Sequence, residues 1–178
     1  ITLGEPIRLN KLEDNIYSCS GYPADCVLVG LGHLLKDSRP DLVVSGINVG
    51  ANLGQDRFYS GTIAAAREAA FRGVPAIAAS LVIKNFKDVQ HFDVAANYIN
   101  KLVSKNIHKY IPPMSLLNIN VPNLTESHIK GVKISTSGYQ IYSEEVVERQ
   151  DIRGKSYYWV GGIYKGHQDI EGSDCNHV

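Results

Sequence analysis

Apolar residues along the first two thirds of this 178-residue chain follow two alternating periods. LVV at residues 42–44 is a short all-apolar run of the kind that a parallel strand buried on both faces requires, AIAASLVI at 76–83 reads as the next buried strand, and SLLNINVP at 115–122 supplies a further one. Between them the spacing is helical. Val27, Leu28, Leu31, Leu34 and Leu35 predict a helix opened by Pro23, with Asp25 at its positive end, running to about Lys36. An alanine-rich stretch predicts a second helix over residues 60–72, stopped by Gly73 and Pro75. Val94, Ala95, Tyr98, Ile99, Leu102 and Val103 make one face of a third.

Upstream, GEPIRLNK and NIYSCSG flank LEDN, whose Asp14-Asn15 pair suits a turn, so a β-hairpin is predicted there. Strand and helix then alternate as in an α/β fold with a parallel sheet and right-handed crossovers. From Ile129 onward the pattern changes. IKGVKIST and SYYWVGG read as longer β runs, separated by a charged segment at 143–155. We therefore divide the chain into an α/β core, residues 1–128, and a β-rich arm, residues 129–178, which either packs on a second subunit or folds back as a surface hairpin.

The connection after LVV is unusual. An apolar run stops at Ser45, and Gly, Asn and Asp dominate the residues up to the helix beginning near Ser60. In open α/β sheets ligands bind beyond the carboxyl ends of the strands, which is where this segment falls by position. Its glycines permit close backbone approach, and Asn48 and Asn52 each offer a carbonyl oxygen. Ser60, Gly61 and Thr62 would open the helix with free N–H groups, two hydroxyls and the positive end of the dipole, a natural cradle for phosphate. The blander reading is a long turn closed by Ser60 as an ordinary N-cap. Asn48 likewise reads either as a turn residue or as a neutral oxygen ligand for a hard cation such as Mg²⁺ or Mn²⁺. The segment is neither a Walker A loop nor GxGxxG.

Composition narrows the setting. Eighteen Lys and Arg balance eighteen Asp and Glu, so no overall field draws the chain to a nucleic acid polymer or a lipid surface, and an anion must be held locally. Three cysteines without a CxxC spacing argue against a disulfide framework and for a reducing compartment, and the apolar runs are too short to span a bilayer. The expected setting is the cytoplasm. The six histidines show no metal-ligand spacing. A first residue other than Met and an end just after a glycine-rich, polar segment lead us to expect that both termini cut through a larger fold.

Taken together, SGINVGANLGQDRFYSGTIAAAREA closely resembles the signature of the SurE family, SGIN-x-G-x-N-x-G-x-D-x-x-YSGT-V-x-AA-x-E, over Ser45 through Glu68. GYPADCV, RGVPAIAAS, LLNINVP and GSD resemble further motifs of that family in order, with Tyr22, Ile63, Ala69 and Ser173 as mild departures. The resemblance implies a Rossmann-like three-layer core with a carboxyl-terminal arm used in forming a homodimer or homotetramer. It implies a phosphatase, dependent on a divalent metal ion (Mg²⁺ or Mn²⁺), that hydrolyses nucleoside 5′- and 3′-monophosphates and trims short polyphosphate. Residue by residue, Asn48 matches the family's metal-binding Asn, and Asn52, Ser60, Gly61 and Thr62 match positions around the substrate phosphate. The family's other metal ligands are an adjacent aspartate pair and a serine, which the resemblance places before the segment matched by Ile1. No Asp-Asp pair occurs in the chain, so the alternative expectation is a non-catalytic phosphate-binding or scaffolding module. No attacking group is assigned.

Overall fold

The computed structural model describes residues 1–178 and divides them into two compact units, Ile1–Asn52 with Arg57–Gly131, and Leu53–Asp56 with Val132–Val178. The first is an α/β layer structure. Strands β3 (Val43–Val49), β4 (Ala76–Val82) and β5 (Leu116–Pro122) form a parallel sheet in that spatial order, preceded in sequence by the antiparallel hairpin β1 (Leu9–Glu13) and β2 (Ile16–Cys19). Asn15 turns the hairpin at a φ of 62°, a left-handed geometry that asparagine tolerates.

Central β4 explains why its sequence is apolar without alternation. Ala76 and Ala78 pack with Ile63, Ala66 and Ala69 of helix α2 (Gly61–Phe71), joined by Val27 of helix α1 (Pro23–Val29). Ile77 and Ala79 face the other way, towards Ile99 of helix α3 (Phe92–Ser104), and Leu81 meets Ala95 and Val121. Helices on both faces make the three layers the sequence implied. Alanines on the inner faces of both α2 and β4 leave room for the helix to lie close to the sheet.

Three local expectations are corrected. The first helix is α-helical only to Val29 and continues as a π-turn over Gly30–Leu34, where the Leu35 N–H reaches the Gly30 carbonyl five residues back at 2.8 Å. Two glycines, Gly30 and Gly32, weaken the α-helical preference there. The apolar run after Pro40 does not end its strand at Ser45. β3 continues through the polar residues to Val49, with a register shift against β4 between Ser45 and Asn48. Gly46 makes that shift possible, because its φ is 120° and a Cβ there would stand 2.3 Å from the Ala79 carbonyl oxygen. The connection proper is therefore shorter than the composition suggested, and it contains a 3-10 turn, Gly54–Phe58.

The third correction lies in the second unit. IKGVKIST is not a strand, apart from an isolated bridge between Thr136 and Ser173. Instead the charged segment contributes β7 (Glu145–Gln150), which pairs antiparallel with β8 (Ser156–Gly161), while β6 (Gln140–Tyr142) pairs with β9 (Tyr164–His167). Every residue of β7 and β8 is exposed, so neither face imposes the apolar alternation by which a strand is read from sequence. Leu53–Asp56 belongs to this unit through side-chain bonds. Asp174 accepts the N–H of Gly54 at 3.0 Å and of Gly138 at 2.7 Å, and Gln140 and Tyr142 both donate to Asp56. Burial, with Asp174 beside it, pushes the Cys175 thiol up to about 11, so it stays protonated near neutral pH. No helix is long and apolar enough to cross a membrane.

Candidate active site

Helix α2 begins where the sequence placed it. Ser60 is its N-cap, with an extended backbone and a side-chain oxygen that accepts the Ile63 N–H at 3.2 Å. That bond satisfies one of the orphan donors of the first turn. The N–H groups of Gly61 and Thr62 have no acceptor within the helix. Gly61 is exposed and has no side chain to shield these donors. Behind Gly61 stands Pro23, the first residue of α1, so close that a Cβ added to Gly61 would lie 3.0 Å from the Pro23 Cγ. Packing therefore limits position 61 on its inner side.

The N-cap and cradle readings of Ser60 are compatible. Its oxygen accepts from Ile63, and its O–H remains able to donate. Thr62 links the helix start to the strand end, donating its hydroxyl to Asn48 Oδ1 at 3.3 Å. The Asn48 amide is oriented from its other side, since Nδ2 donates to the Gly50 carbonyl at 2.9 Å. Asn48, Thr62 and Ser60 are all half-buried, and the end of β3 and the start of α2 thus meet through side chains.

Asn52 is placed differently from the other four. It is only 5% exposed, and its amide donates to the buried Ser80 hydroxyl at 2.7 Å. Its backbone N–H donates to Asn120 Oδ1 at 2.8 Å, and its carbonyl accepts from Asn118 and Asn120 at 2.8 and 3.2 Å. Asn52 supports the loop from below, and a ligand would not reach its side chain. Ser80, Asn118 and Asn120 were not singled out from the sequence. A signal was present, because Asn118 and Asn120 stand two apart in an otherwise apolar strand and so share one face.

A hard divalent cation needs several oxygens, usually with carboxylates among them. These residues offer one oriented amide oxygen, Asn48 Oδ1, with the Thr62 hydroxyl beside it, and nowhere do three or more His, Cys, Asp or Glu residues gather. The donor set present does not by itself fit Mg²⁺ or Mn²⁺. What it can do is bind an anion. The first turn of an eleven-residue helix offers two N–H groups without a partner, two hydroxyls and the positive end of its dipole.

Comparison with known proteins gives the family. Residues 1–144 match the family model described as Survival protein SurE. A protein of Myxococcus xanthus named 5′-nucleotidase SurE is 47% identical over all of this chain and 66% of its own length. One of the same name from Geotalea uraniireducens is 44% identical over all of this chain and 71% of its own. The crystal structure of SurE protein from Aquifex aeolicus superposes with a TM-score of 0.81 at 38% identity, covering 98% of this chain and 70% of that one. The chain thus spans about two thirds of the length of the curated relatives it matches.

Proposed function

This chain belongs to the SurE family, and on that premise we propose that it takes part in hydrolysing the phosphate ester of nucleoside monophosphates, 5′ and also 3′, with short polyphosphate as a further substrate. The observation that carries the reading is the start of α2, where the N–H groups of Gly61 and Thr62 stand open beside the hydroxyls of Ser60 and Thr62.

A phosphoryl group fits this place on charge alone. Its non-bridging oxygens would accept from the two N–H groups, and the Ser60 and Thr62 hydroxyls would donate to the same oxygens. Thr62 can turn its O–H from Asn48 to the ligand without leaving its rotamer well, since only the hydroxyl hydrogen moves. Negative charge on the transferring group is then met by donors already in place, which requires no reorganisation. Of the oxygens a divalent ion would require, Asn48 Oδ1 is the one this chain's residues contribute to the reading. Mg²⁺ or Mn²⁺ would supply charge neutralisation at the phosphoryl oxygens when bound.

The test is a pair of measurements on the chain, binding of adenosine monophosphate by calorimetry and release of phosphate from it in the presence of Mn²⁺. The Thr62→Ala variant is expected to weaken binding by about tenfold or more, the worth of one hydrogen bond to a charged group. Binding without release supports the non-catalytic phosphate-binding module instead. No binding sinks both.

The same proposal extends to assembly and setting. β7 and β8 expose Val146, Val147, Tyr157, Tyr158, Trp159 and Val160. A two-stranded hairpin is marginal alone, and an exposed apolar surface of this kind marks an interaction site. A second copy of the chain is the occupant we propose, giving a homodimer or homotetramer. Three free thiols support a reducing cytoplasm as the place of action.

A further inference from the structure

Strand β5 carries Asn118 and Asn120 in register with Ala78 and Ser80 of β4, on the side of the sheet that faces α2. Neighbouring positions Leu117, Ile119 and Val121 pack into the opposite face. An apolar residue would suit either asparagine's place in the strand, and Asn118 Oδ1 in fact lies buried with no hydrogen-bond partner. Polar side chains persist at such positions when their other groups hold something.

We propose that Asn118 and Asn120 are positioning residues that fix the orientation of the Asn48 amide, acting through the backbone of Asn52. The geometry supplies each link. Asn120 makes a reciprocal pair with Asn52, accepting its N–H at 2.8 Å and donating to its carbonyl at 3.2 Å, while Asn118 donates to the same carbonyl at 2.8 Å. Side chains thus take the place of a strand partner for a residue that has none. Two residues upstream, the Gly50 N–H donates to the Leu81 carbonyl at 2.9 Å. The turn over residues 50–52 is therefore tied to β4 at one end and to β5 at the other.

The Gly50 carbonyl, held in this way, is the acceptor for Asn48 Nδ2 at 2.9 Å. An amide pinned by its nitrogen has its oxygen pointing the other way, and that oxygen is the one Thr62 donates to at 3.3 Å. Release of Asn52 lets Gly50 shift, and a shifted Gly50 frees the Asn48 amide to rotate and present nitrogen where oxygen should be. The effect of β5 on the anion site then passes through Asn48 alone.

This inference rests on the proposed nucleotide-binding reading, and a double-mutant cycle separates the two. Affinity for adenosine monophosphate is measured by calorimetry on the full chain, Asn48→Ala, Asn120→Ala and the double variant. Each single substitution releases the Thr62 hydroxyl from Asn48 and is expected to shift affinity about tenfold in the same direction, and the double variant no more than Asn48→Ala does, because the second change acts through a group already removed. Independent shifts that multiply to about a hundredfold overturn the proposal, since a merely structural role for Asn120 gives additive effects at distinct sites. Unchanged affinity in Asn120→Ala overturns it too. If Asn120→Ala does not fold, Asn118→Ala enters the same cycle with the same expected outcomes. An unmodified chain that binds no adenosine monophosphate overturns the nucleotide reading itself, and this inference with it.

Discussion

β4 and β8 are strands of similar length in opposite circumstances. Six of the seven residues of β4 are buried between helices, whereas all six residues of β8 are exposed on a two-stranded hairpin. Yet β8 is the more aromatic, with Tyr157, Tyr158 and Trp159 in succession, while β4 has no aromatic residue and three alanines among its seven. Small residues of β4 and α2 let Ile63, Ile77, Leu81 and Ile99 pack at close range, whereas the aromatic side chains of β8 are held outward. A surface of that composition marks an interaction site. Stability of the first unit should therefore depend on backbone approach, and the role of the hairpin on what it meets.

The largest expected effect follows from that difference. Gly46→Ala places a Cβ 2.3 Å from the Ala79 carbonyl oxygen, at a φ of 120° that side chains avoid. The clash is with backbone in the middle of the β3–β4 pair, so no side-chain rotation relieves it. We expect a loss of about 3 kcal/mol or more, the range of strained backbone and overpacking together. Thermal melting followed by far-ultraviolet circular dichroism measures it. A melting temperature within a degree of the unmodified chain would show that the two strands can separate freely, and the close-packed account of the core would fail.

How much of this was legible in the sequence follows the same division. The strands and helices of the sheet could be read because burial on one or both faces forces a period, and Ser60 could be read as a helix start because capping chemistry is local. β7 could not, since a hairpin exposed on both sides has no face to enforce. Of the site, Asn48, Ser60, Gly61 and Thr62 stood out in the loop itself, and the structure brings them together. Asn52 stood out with them. Its composition marks a turn residue, whereas the bonds to Ser80, Asn118 and Asn120 that define its place come from 28 to 68 positions away. Long-range side-chain partners leave only a faint trace in one sequence, such as two asparagines sharing a strand face.

A smaller effect should appear in acid. Asp25 is buried, and burial alone would raise its pKa, but bonds from the Thr2 hydroxyl, the Thr2 N–H and the Tyr22 N–H outweigh that and lower it. A carboxyl with a lowered folded-state pKa binds fewer protons folded than unfolded at acid pH. Its contribution is fully present above the ordinary carboxylate value and is lost as pH falls through the folded one. Asp25→Asn should thus lower the melting temperature at pH 7 and flatten its fall below pH 4. Parallel melting curves for the two proteins across that range would show that Asp25 is not a source of the acid sensitivity. This anchor ties the first residues to the start of α1, and so to Pro23 beneath Gly61.

The smallest effect on folding, and the sharpest test of the comparison, is in the hairpin. Trp159 is 62% exposed, so replacing it removes little buried area from its own chain. Trp159→Ser should therefore change the melting temperature of a dilute sample by no more than an ordinary surface substitution, within about 0.5 kcal/mol. Its effect should appear in assembly. Light scattering coupled to size-exclusion chromatography is expected to show the unmodified chain as a dimer or tetramer and the variant shifted towards monomer. A variant that melts much earlier while keeping its mass would mean that the indole packs within its own unit. In that case the hairpin would be a second core, and its contrast with β4 would be one of layout alone.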